Sequence, residues 1–131
     1  MIPQTQIGGR PGAQHGDCFE TCVASVLDLE RPEVPYFMDL PNWWQEFRKW
    51  LFARGLDCAA LELMVQGDRI VDAPKGYWIG SGKSPFGPHN HAVVMLGQDI
   101  AHDPDPRGAG LDGPPRFGYR IYQAITIQAT P

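Results

Sequence analysis

Residues 16–27 read Gly-Asp-Cys-Phe-Glu-Thr-Cys-Val-Ala-Ser-Val-Leu, and this stretch decides the fold. Its apolar side chains recur at i, i+3, i+4, i+7 and i+8 from Phe19, which predicts a helix running to about Leu29 with one face in the core. Asp17 and Glu20 have the spacing of a capping box, so we expect Asp17 to be the N-cap. Cys18 then occupies the first helical position.

The rest of the chain predicts one more helix, followed by strands. We expect the second helix from Asn42 to Arg54, because apolar side chains share one face there and Gly55 follows it. The expected strands are Ala59 to Met64, Tyr77 to Gly80, His91 to Leu96, Ile100 to Asp103 and Tyr119 to Ile127. Helices first and strands afterwards indicate an α+β fold with an antiparallel sheet.

The length and the net charge of the chain limit the domain organisation and the partners that we expect. The 131 residues fit one domain spanning 1–131, with an extended segment rich in Gly, Pro and Gln at 1–16. A net charge of −4 with scattered basic residues disfavours both nucleic acid and anionic membrane surfaces as partners. No segment approaches the ~18 apolar residues of a membrane span, and the first residues lack a signal-peptide pattern. Three cysteines cannot all pair within the chain, so we expect a reducing compartment and a cytoplasmic protein.

Cys18 is the candidate nucleophile. The start of a helix favours thiolate over thiol, through unpaired N–H groups and the positive end of the helix dipole. Cys22 lies one turn further on the apolar stripe, and it is expected, like Cys58, to be a buried core residue. The chain has no CxxC pair, so we do not expect a zinc site built on these thiols.

His91 and Asp103 are the candidate base and orienting carboxylate. An imidazole can take a proton from a thiol, and a carboxylate can hold that imidazole in the required tautomer. The strand register decides whether the two meet. A three-residue loop at 97–99 places them on one face of the sheet, whereas a two-residue turn puts His91 on the face of His102 unless a bulge restores the first register.

Two alternatives follow from the neighbouring residues. The second register leaves His89, His91 and His102 as a possible metal cluster. Asp105 is a second carboxylate that could compete with Asp103 for the histidine.

A cysteine hydrolase also needs hydrogen-bond donors for the oxyanion that forms during acyl transfer. The backbone N–H of Cys18 is one candidate. A glutamine side chain from the N-terminal segment is the other, and the candidates are Gln14, Gln4 and Gln6. The run from Gly80 to Pro88 directly precedes His91 and is expected to form a cleft wall or a flexible lid.

These motifs together resemble papain-like cysteine peptidases. More narrowly, the chain is similar to small phage and bacterial proteins that share several short motifs. These are Gln-Thr at 4–5, Gly-Asp-Cys-Phe-x-x-Cys-x-Ala-Ser-x-Leu at 16–27, Ser-Pro-x-Gly at 84–87, His-Ala-Val-Val at 91–94 and His-Asp-Pro-x-Pro at 102–106. Around Asp17 and Cys18 it is also similar to the bacteriocin-processing peptidase domains of ABC exporters.

The resemblance implies a papain-like α+β fold, with the helix that carries the cysteine packed on an antiparallel sheet. It implies Cys18 as nucleophile, His91 as base, Asp103 as orienting carboxylate and a glutamine as oxyanion donor. One departure concerns the glutamine, since position 12, where the family pattern places it, is glycine here.

We therefore expect a cysteine peptidase or amidase that cleaves a peptide or isopeptide bond in a peptide or protein substrate, without a cofactor. A non-catalytic peptide-binding module on the same fold, using Trp43 or Trp44, is the first alternative. A metal-dependent hydrolase built on His89, His91 and His102 is the second.

Overall fold

The structure is a computed structural model that describes residues 16–124. Its two helices are α1, Cys18–Leu27, and α2, Trp43–Phe52, with a short 3-10 turn at Arg31–Glu33 between them. Both helices lie in the predicted stretches but end earlier than expected. In α1 the reason is Asp28, which takes a left-handed conformation with φ 57° and closes the last turn. Within residues 16–124, neither helix has the length and apolarity needed to cross a membrane.

The part of the chain that follows α2 forms strands. Their bounds are β1 Leu56–Glu62, β2 Met64–Gln66, β3 Arg69–Val71, β4 Tyr77–Lys83, β5 Asn90–Leu96, β6 Asp99–His102 and β7 Phe117–Gln123. One antiparallel sheet has the strand order β1-β7-β4-β5-β6, and β2 pairs with β3 in a separate hairpin. The architecture is therefore α+β with an antiparallel five-stranded sheet, as predicted for this region.

The predicted strands differ from the observed ones mainly at their ends. The strand expected from Ala59 begins at Leu56, and the strand expected to stop at Gly80 continues to Lys83. The sequence pattern did not predict β3, which is only three residues long. The predicted continuation of the last strand to Ile127 lies outside the described residues.

The sheet separates two apolar clusters because β4 and β5 are buried on both faces. Ile79 and Val94 point into the larger cluster with the apolar faces of α1 and α2. Their neighbours Trp78 and Val93 point to the opposite face, where they pack against Ile70 of the β2–β3 hairpin. The helices thus cover one face of the sheet, and α1 lies directly against β5 and β4.

An aromatic cluster holds α1 against α2 and β7. Phe19 packs edge-on against Phe47, Tyr119 and Trp43, with ring centroids 5.1, 5.4 and 5.6 Å apart. Trp43 and Trp44 are both partly buried and both contact Tyr119, so the packing does not single out one of them as a cleft residue. Because Phe19 follows Cys18, this packing fixes the start of α1 relative to the sheet.

The capping box predicted for α1 was wrong. Asp17 does occupy the N-cap position, but its side chain makes no capping hydrogen bond and instead accepts one from Nε of Arg31 at 2.8 Å. The Glu20 carboxylate accepts hydrogen bonds from the backbone N–H groups of Phe37 and Met38 at 2.9 and 3.1 Å. These partners lie 14 or more residues away in sequence, so the local spacing did not reveal them.

Candidate active site

His91 and Asp103 form a close, largely buried pair. Nε2 of His91 lies 2.7 Å from Oδ1 of Asp103, and the two side chains are only 9% and 10% exposed. The carboxylate also accepts hydrogen bonds from the backbone N–H groups of Asp105 and Gly110, at 3.0 and 2.7 Å. A carboxylate surrounded by donors acts as an acceptor, so Nε2 of His91 carries the proton. In the neutral ring Nδ1 then has a free lone pair.

The register of β5 and β6 explains this contact. A two-residue turn joins the strands, which by itself would place His91 on the face of His102. A β-bulge then shifts the register, so that Val94 faces His102. With this shift His91 and Asp103 share a face at diagonal distance. The structure thus combines the shorter of the two turns considered with the bulge that restores the pairing.

The thiol of Cys18 lies next to the same strand. The backbone N–H groups of Ala92, the residue after His91, and of Phe19 both act on this thiol and lower its pKa. Cys18 is partly exposed, whereas Ala92 is buried. The packing of α1 on β5 therefore brings the candidate nucleophile to the start of the strand that carries the candidate base.

Burial opposes the effect that the helix N-terminus is expected to have on the Cys18 thiol. Burial raises the pKa of the Cys18 thiol to about 11, and this effect exceeds the lowering by the N–H groups of Ala92 and Phe19. The negative charges of Glu20 and Asp17 raise the pKa further. At neutral pH the resting Cys18 is therefore a thiol rather than a thiolate.

Cys22 and Cys58 are core residues, as expected. Both side chains are buried, and all three cysteines of the chain are free thiols. Burial raises the pKa of Cys22 well above its ordinary value and that of Cys58 to about 12. Both side chains are therefore packed in the core as neutral thiols.

Asp105 does not compete with Asp103 for the histidine. Its carboxylate accepts hydrogen bonds from the guanidinium of Arg107, with Nη2 at 2.6 Å from Oδ2 and Nε at 3.0 Å from Oδ1. These hydrogen bonds lower the pKa of the Asp105 carboxyl below its ordinary value. Asp105 is therefore a buried, paired carboxylate beside the His91–Asp103 pair.

The loop before His91 is shorter and better held than predicted. Gly80 to Lys83 belong to β4, so the connection to β5 covers only 84–89. Ser84 is buried, and its Oγ accepts a hydrogen bond from the N–H of Phe86 at 3.1 Å. The guanidinium carbon of Arg107 lies 3.5 Å from the centroid of the Phe86 ring. The sequence analysis missed Phe86 and Arg107, because no local spacing connects two residues in separate loops.

The remaining predicted residues fall into two groups. Within residues 16–124, no three His, Cys, Asp or Glu side chains are placed to hold a metal ion. The structure therefore does not bring His89, His91 and His102 together as a metal site. The candidate oxyanion glutamines Gln4, Gln6 and Gln14 lie outside the described residues.

Comparison of the chain with protein-family models, with curated proteins and with solved structures finds no match. The candidate site itself must therefore indicate the function. Its central features are the Cys18 thiol beside β5 and the His91 imidazole at the start of that strand. The third is the Asp103 carboxylate, which accepts a hydrogen bond from the imidazole and is held by backbone N–H groups.

Proposed function

We propose that this chain is a papain-like cysteine hydrolase that cleaves a peptide or isopeptide bond through an acyl-enzyme on Cys18. The observation that carries the proposal is the 2.7 Å contact between His91 and Asp103. His91 lies on β5, and the N–H of the next residue, Ala92, acts on the Cys18 thiol. An oriented base beside a thiol is the arrangement that activates a nucleophile. The antiparallel sheet with the cysteine-bearing helix packed on it supports the same proposal.

In the proposed reaction the Cys18 sulfur attacks the acyl carbon while its proton passes to Nδ1 of His91. A C–S bond forms, and the carbonyl oxygen becomes an oxyanion. The imidazolium then gives its proton to the leaving nitrogen as the C–N bond breaks, which leaves a thioester on Cys18. Water then attacks the thioester carbon while His91 takes its proton, so that a C–O bond forms and the C–S bond breaks. The carboxylic acid leaves, and the imidazolium returns the proton to the Cys18 sulfur. Asp103 stabilises the imidazolium and holds the ring in the reactive tautomer.

The neutral resting thiol decides how the first step must occur. Because burial raises the pKa of Cys18 to about 11, no stable thiolate precedes the substrate. Proton transfer to His91 therefore accompanies attack, as in hydrolases with a hydroxyl nucleophile. The backbone N–H of Cys18 and either Gln14 or Gln4 would supply the oxyanion donors.

A peptide-binding module without catalysis is the second candidate. The raised pKa of Cys18 is the observation that favours it, because a buried neutral cysteine can simply be a small apolar residue. In that case Trp43 and Trp44, which are partly exposed, would contribute to peptide binding.

Alkylation of the native protein with iodoacetamide across pH tests the proposal, with the modified cysteine located by mass spectrometry. Although the resting Cys18 is a neutral thiol, we expect it to react at neutral pH, because His91 takes its proton as the C–S bond forms. His91→Ala should slow this reaction by about 10²-fold or more, in the range of a lost general base. The matched control is His89→Ala, which removes an exposed histidine from the neighbouring loop.

The opposite result is a Cys18 reaction rate that only rises towards strongly alkaline pH and is the same in His91→Ala. That result would contradict the hydrolase and leave the peptide-binding module. Cys58 provides an internal reference in each experiment, because it is a buried thiol in β1 with no histidine beside it in the sequence.

A further inference from the structure

The two loops that flank the candidate base are connected to each other. The first, 84–89, leads into β5 and hence to His91; the second, 103–110, begins with Asp103. Arg107 of the second loop stacks on Phe86 of the first, with the guanidinium carbon 3.5 Å from the ring centroid. This stack connects the segment before His91 with the segment after Asp103.

Hydrogen bonds continue the connection to the imidazole. The Arg107 guanidinium and backbone N–H both donate to the Asp105 carboxylate. The backbone N–H of Asp105 donates to Oδ1 of Asp103 at 3.0 Å, and that same oxygen accepts the hydrogen bond from His91. The position of Arg107 is thereby coupled to the oxygen that orients the base.

Hydrogen bonds within the first loop connect Phe86 to the start of β5. The N–H of Ser84 donates to the carbonyl oxygen of His89 at 3.0 Å, and Ser84 Oγ accepts from the N–H of Phe86. His89 is separated from His91 by Asn90 alone. Phe86, Arg107, Asp105, Asp103 and His91 therefore form a chain of contacts, and Ser84 with the backbone of 89–91 closes this chain into a ring.

From this ring we infer that Arg107 is a positioning residue for the His91–Asp103 pair, acting through Asp105 and held in place by Phe86. Two features indicate that the ion pair between Arg107 and Asp105 fixes the structure of this loop. The Asp105 side chain is only 7% exposed, so its charge needs the guanidinium. The guanidinium binds with both Nε and Nη2, a geometry that fixes the turn more firmly than a single ion pair. The consequence for catalysis rests on the proposed function, but the geometry of the pair does not.

The test measures the imidazole directly by NMR in protein labelled with ¹⁵N-histidine. The signal is the Nε2–H proton of His91, whose exchange with solvent reports the hydrogen bond to Asp103. We expect Arg107→Gln to accelerate this exchange by about three- to tenfold, because a charge-assisted bond and a cation–π contact are lost. Phe86→Leu, which removes only the stacking partner, should accelerate it less. In Arg107→Lys the exchange should be nearly as fast as in Arg107→Gln, because an ammonium cannot bind Asp105 through two nitrogens.

Arg120→Gln is the matched control, since it removes an exposed arginine of β7 away from both loops. Asp103→Asn provides the reference for a disrupted pair. Exchange in Arg107→Gln equal to wild type, with Asp103→Asn accelerated, would overturn the inference. If Arg107→Gln does not fold, the exchange rate in Phe86→Leu is compared with that of wild type instead, and an equal rate would overturn the inference. The readout does not involve Cys18, so an unreactive thiol in the alkylation experiment would count against the hydrolase without affecting this result.

Discussion

His91 and Asp105 share one acceptor, because Nε2 of His91 and the backbone N–H of Asp105 both bond to Oδ1 of Asp103, at 2.7 and 3.0 Å. The other carboxylate oxygen accepts the N–H of Gly110 at 2.7 Å. The carboxylate of Asp103 is therefore the point at which the turn after β6 and the imidazole on β5 are joined. Its two oxygens serve as acceptors only, and a group with a donor at either position should disturb the site.

Asp103→Asn introduces such a donor. In either orientation, the amide NH₂ faces a backbone N–H or the His91 Nε2–H, so at least one buried donor loses its acceptor. We expect the free energy of unfolding to fall by about 1–3 kcal/mol, the cost of an unsatisfied buried polar group. Urea denaturation measures it.

Asp112→Asn is the control for this change, because Asp112 pairs with Lys83 at 3.4 Å but its side chain is 59% exposed. Its free energy of unfolding should stay within about 0.5 kcal/mol of wild type. Equal losses in the two variants would mean that the contacts of Asp103 do not matter for stability.

A second prediction concerns the ion pair beneath the nucleophile. Asp17 is fully buried and pairs with Arg31 at 2.8 Å, so Arg31→Met removes this cation from beside a buried carboxylate. We expect a loss of about 3–5 kcal/mol in the free energy of unfolding, the range for removing one partner of a buried ion pair. Urea or thermal denaturation of the variant checks this.

The double variant Asp17→Asn/Arg31→Met should recover part of the loss, because the buried carboxylate charge is removed together with the guanidinium. Lys49→Met breaks an exposed ion pair with Glu46 and should cost little. A double variant that is less stable than Arg31→Met would show that packing, not charge, dominates at this position.

The elements that the sequence predicts well are those with a local signal. The apolar stripe from Phe19 predicts α1, because burial of one helix face leaves a periodic pattern. The apolar run after His91 predicts β5, because burial of both faces of a strand leaves a continuous apolar run. The capping of α1 could not be predicted in the same way. The partner of Asp17 is Arg31, 14 residues further on, and only the folded chain brings the two together.

The candidate site shows the same division. Cys18, His91 and Asp103 could be named from residue type and order, but the contact between His91 and Asp103 depends on a register shift that residue spacing left open. The bulge lies between Val94 and Met95, which are both buried, and the residue pattern there does not mark it. Phe86 and Arg107 were missed because their contact joins two loops that are separate in sequence.

A third prediction tests how closely β7 packs on β4. A Cβ at Gly118 would lie 2.6 Å from Cζ3 of the fully buried Trp78 and 3.0 Å from the carbonyl oxygen of Ile79. Gly118→Ala should therefore destabilise the protein by about 1–3 kcal/mol. At Gly80 the nearest atom is Cγ of Met95 at 2.9 Å, in a side chain that can move. Gly80→Ala should therefore destabilise the protein less than Gly118→Ala, as measured by thermal denaturation. A larger loss of stability in Gly80→Ala would contradict this account of the packing.

The last prediction is a pH dependence that originates at Glu20. Burial raises the pKa of its carboxyl above the ordinary value of 4.5, against opposing hydrogen bonds from backbone N–H groups and the charge of Arg31. A carboxyl with a raised pKa in the folded state binds its proton more tightly there than in the unfolded chain. Its contribution to stability is therefore complete below about pH 4.5 and is lost as the pH rises through the raised pKa.

Glu20→Gln removes this titration but keeps an oxygen to accept the N–H groups of Phe37 and Met38. The free energy of unfolding of the variant minus that of wild type should increase between pH 4.5 and pH 8, because only wild type must ionise a buried carboxyl. Urea denaturation of both proteins at several pH values measures the difference, and all other titrating groups cancel in it. Glu62→Gln, at an exposed position of β1, is the matched control. A difference that is constant or decreases with pH would mean that Glu20 ionises as readily in the folded protein as in the unfolded chain.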